Sequence, residues 1–243
     1  LEPGGRIVLV NDQAAFEARY GAGLSAQIAG EYSGNLSNDG ELLSLIGAAG
    51  GPIHSFSYND RSPWPQGPDG DGFGLVLIDP MQSPVPDHSD PLNWRASVEV
   101  GAAPGLADGT TYSEWKIANG IPTPEVDSDI DDDGRENFLE YFEGTLAGSP
   151  DVSAASASIE SIDVGGVVDD YFVFRFRRNL AADDVTVEPE LSADLVSWTG
   201  GVGEVEFVGR ERISPTAENL IFRSAAPTSS LGRVFGRVRV ESR

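Results

Sequence analysis

Cysteine is absent from this 243-residue sequence, which excludes a disulfide framework, a thiolate metal site and a thiol nucleophile. Histidine is almost absent, since only His54 and His88 occur. Basic residues are also scarce: 16 Lys and Arg stand against 39 Asp and Glu, a formal net charge of -23. Nucleic acids and anionic membrane surfaces are bound by clustered positive charge. The composition therefore argues against both partners and favours cations.

Long apolar runs are missing too. No run approaches the roughly 20 residues that a membrane-spanning helix needs, so we expect no membrane span. The sequence also opens without a basic segment followed by an apolar one, which predicts a mature product or an excised piece. Hydrophobic residues nevertheless make up 40% of the chain, enough for a buried core in one large domain or two small ones.

Short β-rich runs separated by turn residues fill the first third of the chain. "RIVLV" (6–10) precedes a predicted helix that Asn11 or Asp12 caps and Gly21 ends. "FGLVLIDP" (73–80) predicts a buried strand. Between them, "ELLSLIG" and "PIHSFSYND" predict a hairpin that places on one face the side chains of His54, Phe56 and Tyr58, and on the other those of Ile53, Ser55 and Ser57.

The second half begins with a shift in composition to Gly, Ala, Pro and Thr, in which only "TYSEWKIANG" (111–120) predicts a helix. An acidic stretch and a Ser/Ala-rich connection at 149–158 follow. The last third is β-rich, with strands predicted at 171–178, 184–192, 195–198, 204–212, 219–224 and 233–240. The pattern predicts an all-β chain with three parts: a sandwich at 1–100, a linker at 101–150 and a second sandwich at 151–243.

The acidic stretch "DSDIDDDGRENFLEYFEG" (127–144) matches a calcium loop of the EF-hand type. Such a loop uses oxygen ligands at positions 1, 3, 5, 7, 9 and 12, with Gly at position 6. Counting from Asp129 puts Gly134 at position 6 and predicts as ligands Asp129, Asp131, Asp133, the Arg135 carbonyl, Asn137 and Glu140. Counting from Asp127 fails, because Asp132 and Phe138 then stand where Gly and Glu are required.

Oxygen donors without His or Cys suit Ca²⁺ better than Zn²⁺ or copper, and the long loop suits Ca²⁺ better than Mg²⁺. The alternative is a solvated acidic linker, which is what most charge runs are. Pro122 and Pro124 exclude a regular helix entering the loop, whereas "ENFLEYFEG" predicts an exit helix. Because Glu136 stands at position 8, the loop is similar to the solitary loops of dockerin-like and thrombospondin-type-3-like segments, which implies a structural ion.

The first 98 residues resemble the latter part of a bacterial lamin tail domain, on the combination "LSNDGELLSL", an aromatic strand, "PWP" and "NWRAS". The resemblance implies an immunoglobulin-like sandwich whose opening strands are absent here. Residues 159–243 are similar to a C-terminal β-module of large secreted proteins, through "FRFRRN", "VTVEPELSADLVSW" and "RVFGRVRV". Both resemblances imply an accessory module outside or on the surface of the cell, without catalysis of its own.

Enzyme interpretations have weaker support. Asp87, His88 and Ser89 form a triad only on paper, because adjacent residues of an extended chain point in different directions. Two carboxylates suffice for a glycosidase, and 39 acidic residues leave that alternative open. Asp69 and Asp71 lie in a Gly-rich turn that lacks the twelfth-position Glu of a calcium loop. The four Trp side chains could stack on sugars, although scattered Trp usually packs in a core.

The sequence therefore predicts a non-enzymatic, calcium-stabilised structural or adhesive module of a secreted or cell-surface protein. The alternative is a carbohydrate-binding accessory module of a secreted enzyme. The predicted partners are calcium and, by strand addition, neighbouring copies or other surface proteins. Strand addition follows from the incomplete sandwich, because a half-sandwich exposes strand edges that another chain would cover.

Overall fold

The computed structural model describes residues 2, 4–82, 84–121, 128–153 and 155–243. The chain forms two compact units, Leu1–Asp108 and Gly109–Arg243. Most regular structure is strand and the helices are short, which confirms the all-β class. Within the described ranges no helix has the length and apolar character to cross a membrane.

The first unit contains three two-stranded ladders in the part of it that the structure describes. Its strands are β1 (Val8–Val10), β2 (Ile28–Glu31), β3 (Glu41–Ile46), β4 (Pro52–Tyr58), β5 (Phe73–Leu77) and β6 (Trp94–Val100). β1 pairs with β2 in parallel, while β3 with β4 and β5 with β6 are antiparallel. Helix α1 (Gln13–Tyr20) and two 3-10 turns, Ala22–Gln27 and Pro91–Asn93, connect them.

Two local predictions for the first unit are confirmed, helix α1 and the β3–β4 hairpin. Helix α1 starts where Asp12 Oδ1 accepts the N–H of Ala15 at 2.8 Å, and it ends at Gly21, whose φ of 81° favours glycine. In the β3–β4 hairpin Leu43 lies opposite Phe56. Phe56 and Ile53 lie on opposite faces, as the alternation predicted, and the structure shows that the Phe56 face is half-buried and the Ile53 face is exposed. The immunoglobulin-like arrangement of this region stays a prediction.

Two features of the first unit differ from expectation. Strand β5 is half-buried along its whole length where a buried strand was predicted, because β6 is its only partner among the described strands. Strand β6 was not predicted from the sequence, yet its first four residues are buried. Arg95 is among these, 1% exposed and paired with Asp108 at 2.5 Å. A charged residue in the middle of a short run concealed this strand.

The second unit is a β-sandwich with short helices. Its elements are α2 (Tyr112–Ala118), α3 (Asn137–Glu143), β7 (Ser156–Val164), β8 (Val167–Asn179), β9 (Val185–Ser192), β10 (Thr199–Gly200), β11 (Val205–Ser214), β12 (Ala217–Ser224), α4 (Thr228–Leu231) and β13 (Phe235–Ser242). One sheet has the order β11-β12-β8-β7 and the other β10-β9-β13. The sheets face each other, since a Cβ added at Gly236 of β13 would lie 2.8 Å from the Phe172 ring of β8.

Stacked aromatic rings form a core on the inner face of the four-stranded sheet. The ring centroids of Phe174 and Phe222 are 6.0 Å apart, and those of Phe176 and Phe222 are 5.5 Å apart. All three rings are buried, so most of their area is removed from water, which is the main stabilising contribution to such a core. The period-two aromatic pattern of 171–178 therefore belongs to a central strand with its Phe face inward.

Two predictions in the second unit are wrong at the level of single elements. Residues 195–198 form a turn, because the Asp194 carboxylate accepts the N–H groups of Val196 and Ser197 at 2.8 Å and Leu195 has a φ of 64°. The predicted connection at 149–158 also ends early. Strand β7 begins at Ser156, since it pairs along its whole length with β8 across a turn at Gly165 and Gly166.

Candidate metal centre

The predicted exit helix is confirmed as α3, and it belongs to the second unit. Its apolar face buries Phe138, Tyr141 and Phe142. The Tyr141 hydroxyl donates to Asp184 Oδ1 at 2.6 Å, which fixes the helix beside the start of β9. Gly144 ends the helix in the left-handed conformation. The packing of its apolar face and the Tyr141 hydrogen bond therefore hold the helix in place independently of the loop that precedes it. The predicted proline break at Pro122 and Pro124 lies outside the described residues.

Three of the predicted ligands converge in the loop before α3. The carboxylates of Asp129, Asp131 and Asp133 each offer one oxygen within 4.8 Å of the other two. Backbone hydrogen bonds hold this shape: Asp129 Oδ2 accepts the N–H of Gly134 at 2.7 Å and its Oδ1 accepts that of Asp133 at 3.3 Å. Gly134 has a φ of 90°, which explains the glycine at this position of the loop. The geometry leaves three like charges close together.

Glu140 lies in the first turn of α3, where the charges of Asp131 and Asp133 act on it, although it is not one of the three carboxylates that lie within 4.8 Å of one another. Its side chain is 0% exposed, and neither carboxylate oxygen has a hydrogen-bond partner among the described residues. Burial, together with the charges of Asp131, Asp133 and Asp151, raises the pKa of Glu140 to about 7. Burial and the neighbouring Asp133 also raise the pKa of Asp131. Arg135 opposes this rise but does not cancel it, since its guanidinium pairs with Glu143 and Asp151. A buried carboxylate among like charges is costly to ionise, so this arrangement fits a cation.

Asn137 holds the two ends of the loop together. Its backbone N–H donates to the Ser128 carbonyl at 2.8 Å, and its side-chain nitrogen donates to Ser128 Oγ at 2.5 Å. Its side-chain oxygen accepts the N–H of Ile130 at 3.4 Å. The structure thus gives Asn137 a bracing role, and its role as a ligand stays a prediction. The same holds for the Arg135 carbonyl.

The Arg135 side chain supplies a connection that was not predicted from the sequence. Its guanidinium is buried and pairs with Glu143 at 2.5 Å and with Asp151 at 3.0 Å. The Asp151 N–H donates to Asp133 Oδ2 at 2.7 Å. The loop is therefore tied both to α3 and to the segment before β7. Glu143 could have been found from its spacing, because it lies one helical turn after Glu140, but Asp151 follows a connection of variable geometry and carries no such signal.

The chemistry of the converging groups determines which metal ion this loop suits. The converging groups are carboxylates, and the sequence offers no Cys and only two His, both far along the chain from this loop. Several carboxylate oxygens around one point suit a hard divalent cation, and a loop of this length suits Ca²⁺. No protein-family model, curated protein or solved structure matches the chain. The resemblances to lamin tail domains, to solitary calcium loops and to a C-terminal β-module stay predictions.

The histidines form a different arrangement in the first unit. His54 Nε2 and His88 Nδ1 are hydrogen-bonded at 2.6 Å, and the tautomers of the two rings determine which nitrogen donates. Ser89 Oγ accepts the N–H of Ser57 at 3.1 Å, and Asp87 Oδ1 accepts the N–H of Ser89 at 2.8 Å. The His88 ring therefore bonds to His54, the Ser89 hydroxyl to the Ser57 N–H, and the Asp87 carboxylate to the Ser89 N–H. The structure does not bring Asp87, His88 and Ser89 together as a catalytic chain.

Proposed function

We propose that this chain is a non-enzymatic, calcium-stabilised structural or adhesive module of a secreted or cell-surface protein. The observation that carries the proposal is Glu140: a fully buried carboxylate, without a hydrogen-bond partner in the described parts of the chain, beside three converging aspartates. A calcium ion held by Asp129, Asp131, Asp133, the Arg135 carbonyl, Asn137 and Glu140 would supply the missing positive charge.

A structural role follows from the surroundings of the loop. Arg135 and Asp151 join the loop to α3 and to the entrance of β7, so an ion in the loop would hold together segments that are separate in sequence. The sandwich itself has a core of aromatic rings that needs no ion. Calcium therefore serves to fasten the loop to one side of the second unit. We assign the ion no catalytic part.

The proposal of an extracellular location depends on the calcium concentration that a loop of this kind requires. Loops of this kind in extracellular modules bind calcium with a Kd on the order of 10⁻⁴ to 10⁻³ M, a concentration that is met outside cells. Strand addition by a neighbouring copy or another surface protein is supported by the β3–β4 ladder, which has no third strand in the described part of the chain. The alternative, a carbohydrate-binding module, is favoured by a cleft in the first unit that is described below.

Calorimetric unfolding with calcium and with chelator tests the proposal. At 100 times Kd, calcium should stabilise the second unit by about 3 kcal/mol. Glu140→Gln should abolish this effect. Without calcium the same variant should be more stable than the original, because it removes a buried unpaired charge. Glu136→Gln is the matched control, since Glu136 is exposed at the helix start and makes no side-chain cap bond.

The two variants give opposite outcomes if the site is correct. Glu136→Gln should keep the calcium dependence of the melting temperature, and Glu140→Gln should lose it. A Glu140→Gln protein that calcium still stabilises as strongly as the original would contradict the assignment. Equal loss in both variants would show that only the total charge of the loop matters, which also contradicts a specific ligand set.

A further inference from the structure

A cleft of about 520 Å³ opens in the first unit, between the half-buried face of the β3–β4 hairpin and the loop that follows β4. This volume lies within the range of sites for small molecules, roughly 300 to 1,000 Å³. Its apolar wall includes Leu43 of β3, Phe56 of β4 and Trp94 of β6. The cleft lies entirely within the first unit and shares no residue with the calcium loop.

The aromatic part of the wall is fixed in place. The ring centroids of Phe56 and Trp94 are 5.5 Å apart, with 26° between the ring planes. Trp94 Nε1 donates to the His88 carbonyl at 2.8 Å, and the Tyr58 hydroxyl donates to the Ser37 carbonyl at 2.6 Å. These bonds hold Trp94 and Tyr58 in one orientation. A ligand that covers an aromatic surface therefore meets it preorganised, which lowers the entropy lost on binding.

The rim of the cleft is polar and lacks positive charge. It carries the amides of Asn38 and Asn59 and the carboxylates of Asp60 and Asp69, and no described lining residue is Lys or Arg. Asp69 is exposed and the Asp60 side chain is 21% exposed, so each offers the cleft a carboxylate that can accept a hydrogen bond. Among the described residues, Asp60 forms an ion pair with the guanidinium of Arg61 at 3.9 Å, on a side chain that is 83% exposed. Such an acceptor is satisfied by a ligand that donates a hydrogen bond.

From this combination we propose that the cleft binds a neutral saccharide. A sugar ring presents an apolar face of C–H groups that covers an aromatic wall. Its hydroxyls both donate and accept, which matches a rim of carboxylates that only accept and amides that do both. An organic ammonium ion donates only, so it would offer no acceptor to the amide N–H groups of Asn38, whereas the Asn59 amide already donates to the Asp39 carbonyl. Acidic sugars are repelled by Asp60 and Asp69.

Binding to an array of neutral glycans, followed by calorimetric titration of the glycans that bind, tests the proposal on the whole chain. Asp69→Asn should weaken binding about tenfold, because a hydrogen bond to a charged acceptor is replaced by one to a neutral acceptor. Asp69 is exposed, so this variant should fold. Asp71→Asn is the matched control: it lies in the same turn, is exposed, and does not line the cleft. Its affinity should be unchanged.

Three results would overturn the proposal: no neutral glycan binds, tetramethylammonium or an oligouronate binds in place of neutral glycans, or the two Asp variants lose affinity equally. Phe56→Leu gives a second test of the wall, with hydrogen exchange of the hairpin amides as the check on folding. It should weaken binding while those amides stay protected. Repeating the titration with chelator separates this site from the calcium loop, since glycan affinity should be the same with and without calcium.

Discussion

The two units differ in how they bury apolar side chains. In the part of the chain that the structure describes, the first unit has four buried apolar residues and the second has eighteen. The cause is sheet size: a two-stranded ladder cannot cover itself, whereas the two sheets of the sandwich cover each other. The first unit therefore depends on small clusters of rings and on hydrogen bonds, and the second on a continuous core.

Buried charge occurs in both units, as the Arg95–Asp108 pair of the first unit shows. In the second unit Glu218 pairs with both Arg178 and Arg210, and these three side chains are at most 8% exposed. Buried pairs of this kind contribute little net stability, but losing one partner leaves an uncompensated charge. Glu140 is the exception in the second unit, because its carboxylate accepts no hydrogen bond within the described ranges. This contrast between paired and unpaired buried carboxylates is what singles out the loop.

The largest expected effect comes from the continuous core. Phe222 lies 5.5 Å from Phe176 and is 3% exposed, so Phe222→Ala should destabilise the second unit by about 3 to 5 kcal/mol. Phe56→Ala in the first unit should cost less, because Phe56 is only half-buried. Hydrogen exchange of β12 and β4 amides measures the two effects separately. Equal losses would break the comparison, since they would give both units the same dependence on a core.

The next effect tests the buried charges. Arg135→Met should destabilise the second unit by about 3 kcal/mol, because Glu143 is then buried without its partner. Adding Glu143→Leu should restore much of the loss, since the unpaired charge is removed as well. Arg61→Met is the control: the Arg61 side chain is 83% exposed, and its substitution should change stability by less than about 0.5 kcal/mol. Chemical denaturation of each variant with chelator present gives these values.

Local chemistry was predictable from the sequence and long-range arrangement was not. The Asp12 cap, the β3–β4 hairpin and the exit helix α3 are all determined by neighbouring residues, and each is found. The convergence of Asp129, Asp131 and Asp133 follows from a fixed spacing within one loop. Asp151, in contrast, reaches the loop through tertiary packing. Strand β6 was missed because the counter-charge of its buried Arg95, Asp108, lies 13 residues away.

Acid should destabilise the first unit through its two histidines. The change in the free energy of unfolding should be smaller than that from losing a buried ion pair, because both His rings are half-buried. Burial and the facing His54 lower the pKa of His88, while Asp87 raises it. A lowered His pKa means that the folded state favours the neutral ring. The stability from this pair is therefore present above about pH 6.5 and is lost as the pH falls below it. His54→Gln should weaken this loss.

Proton NMR measures the titration directly, since the chain has only two histidines. Two separate ring signals should be seen, with the His88 signal titrating below the usual range and moving upward in His54→Gln. Hydrogen exchange at pH 5 and pH 7.5 should show faster opening of β4 in acid. If β4 amides are equally protected at both values, the His pair does not stabilise the first unit.

The smallest expected change in stability lies on the exposed face of the β3–β4 hairpin, and it carries the strand-addition proposal. Leu42 is 65% exposed, so Leu42→Lys should alter the unfolding free energy by less than about 0.5 kcal/mol. Lysine on a strand that lacks a neighbour on one side opposes pairing with another chain. Sedimentation velocity over a range of concentrations should therefore show weaker self-association in Leu42→Lys than in the original chain. Val196→Lys, at an 81% exposed position in a turn of the second unit, adds the same charge and should leave association unchanged. If the two variants associate equally, the hairpin edge is not where chains meet, and the exposed apolar side chains of the first unit need another explanation.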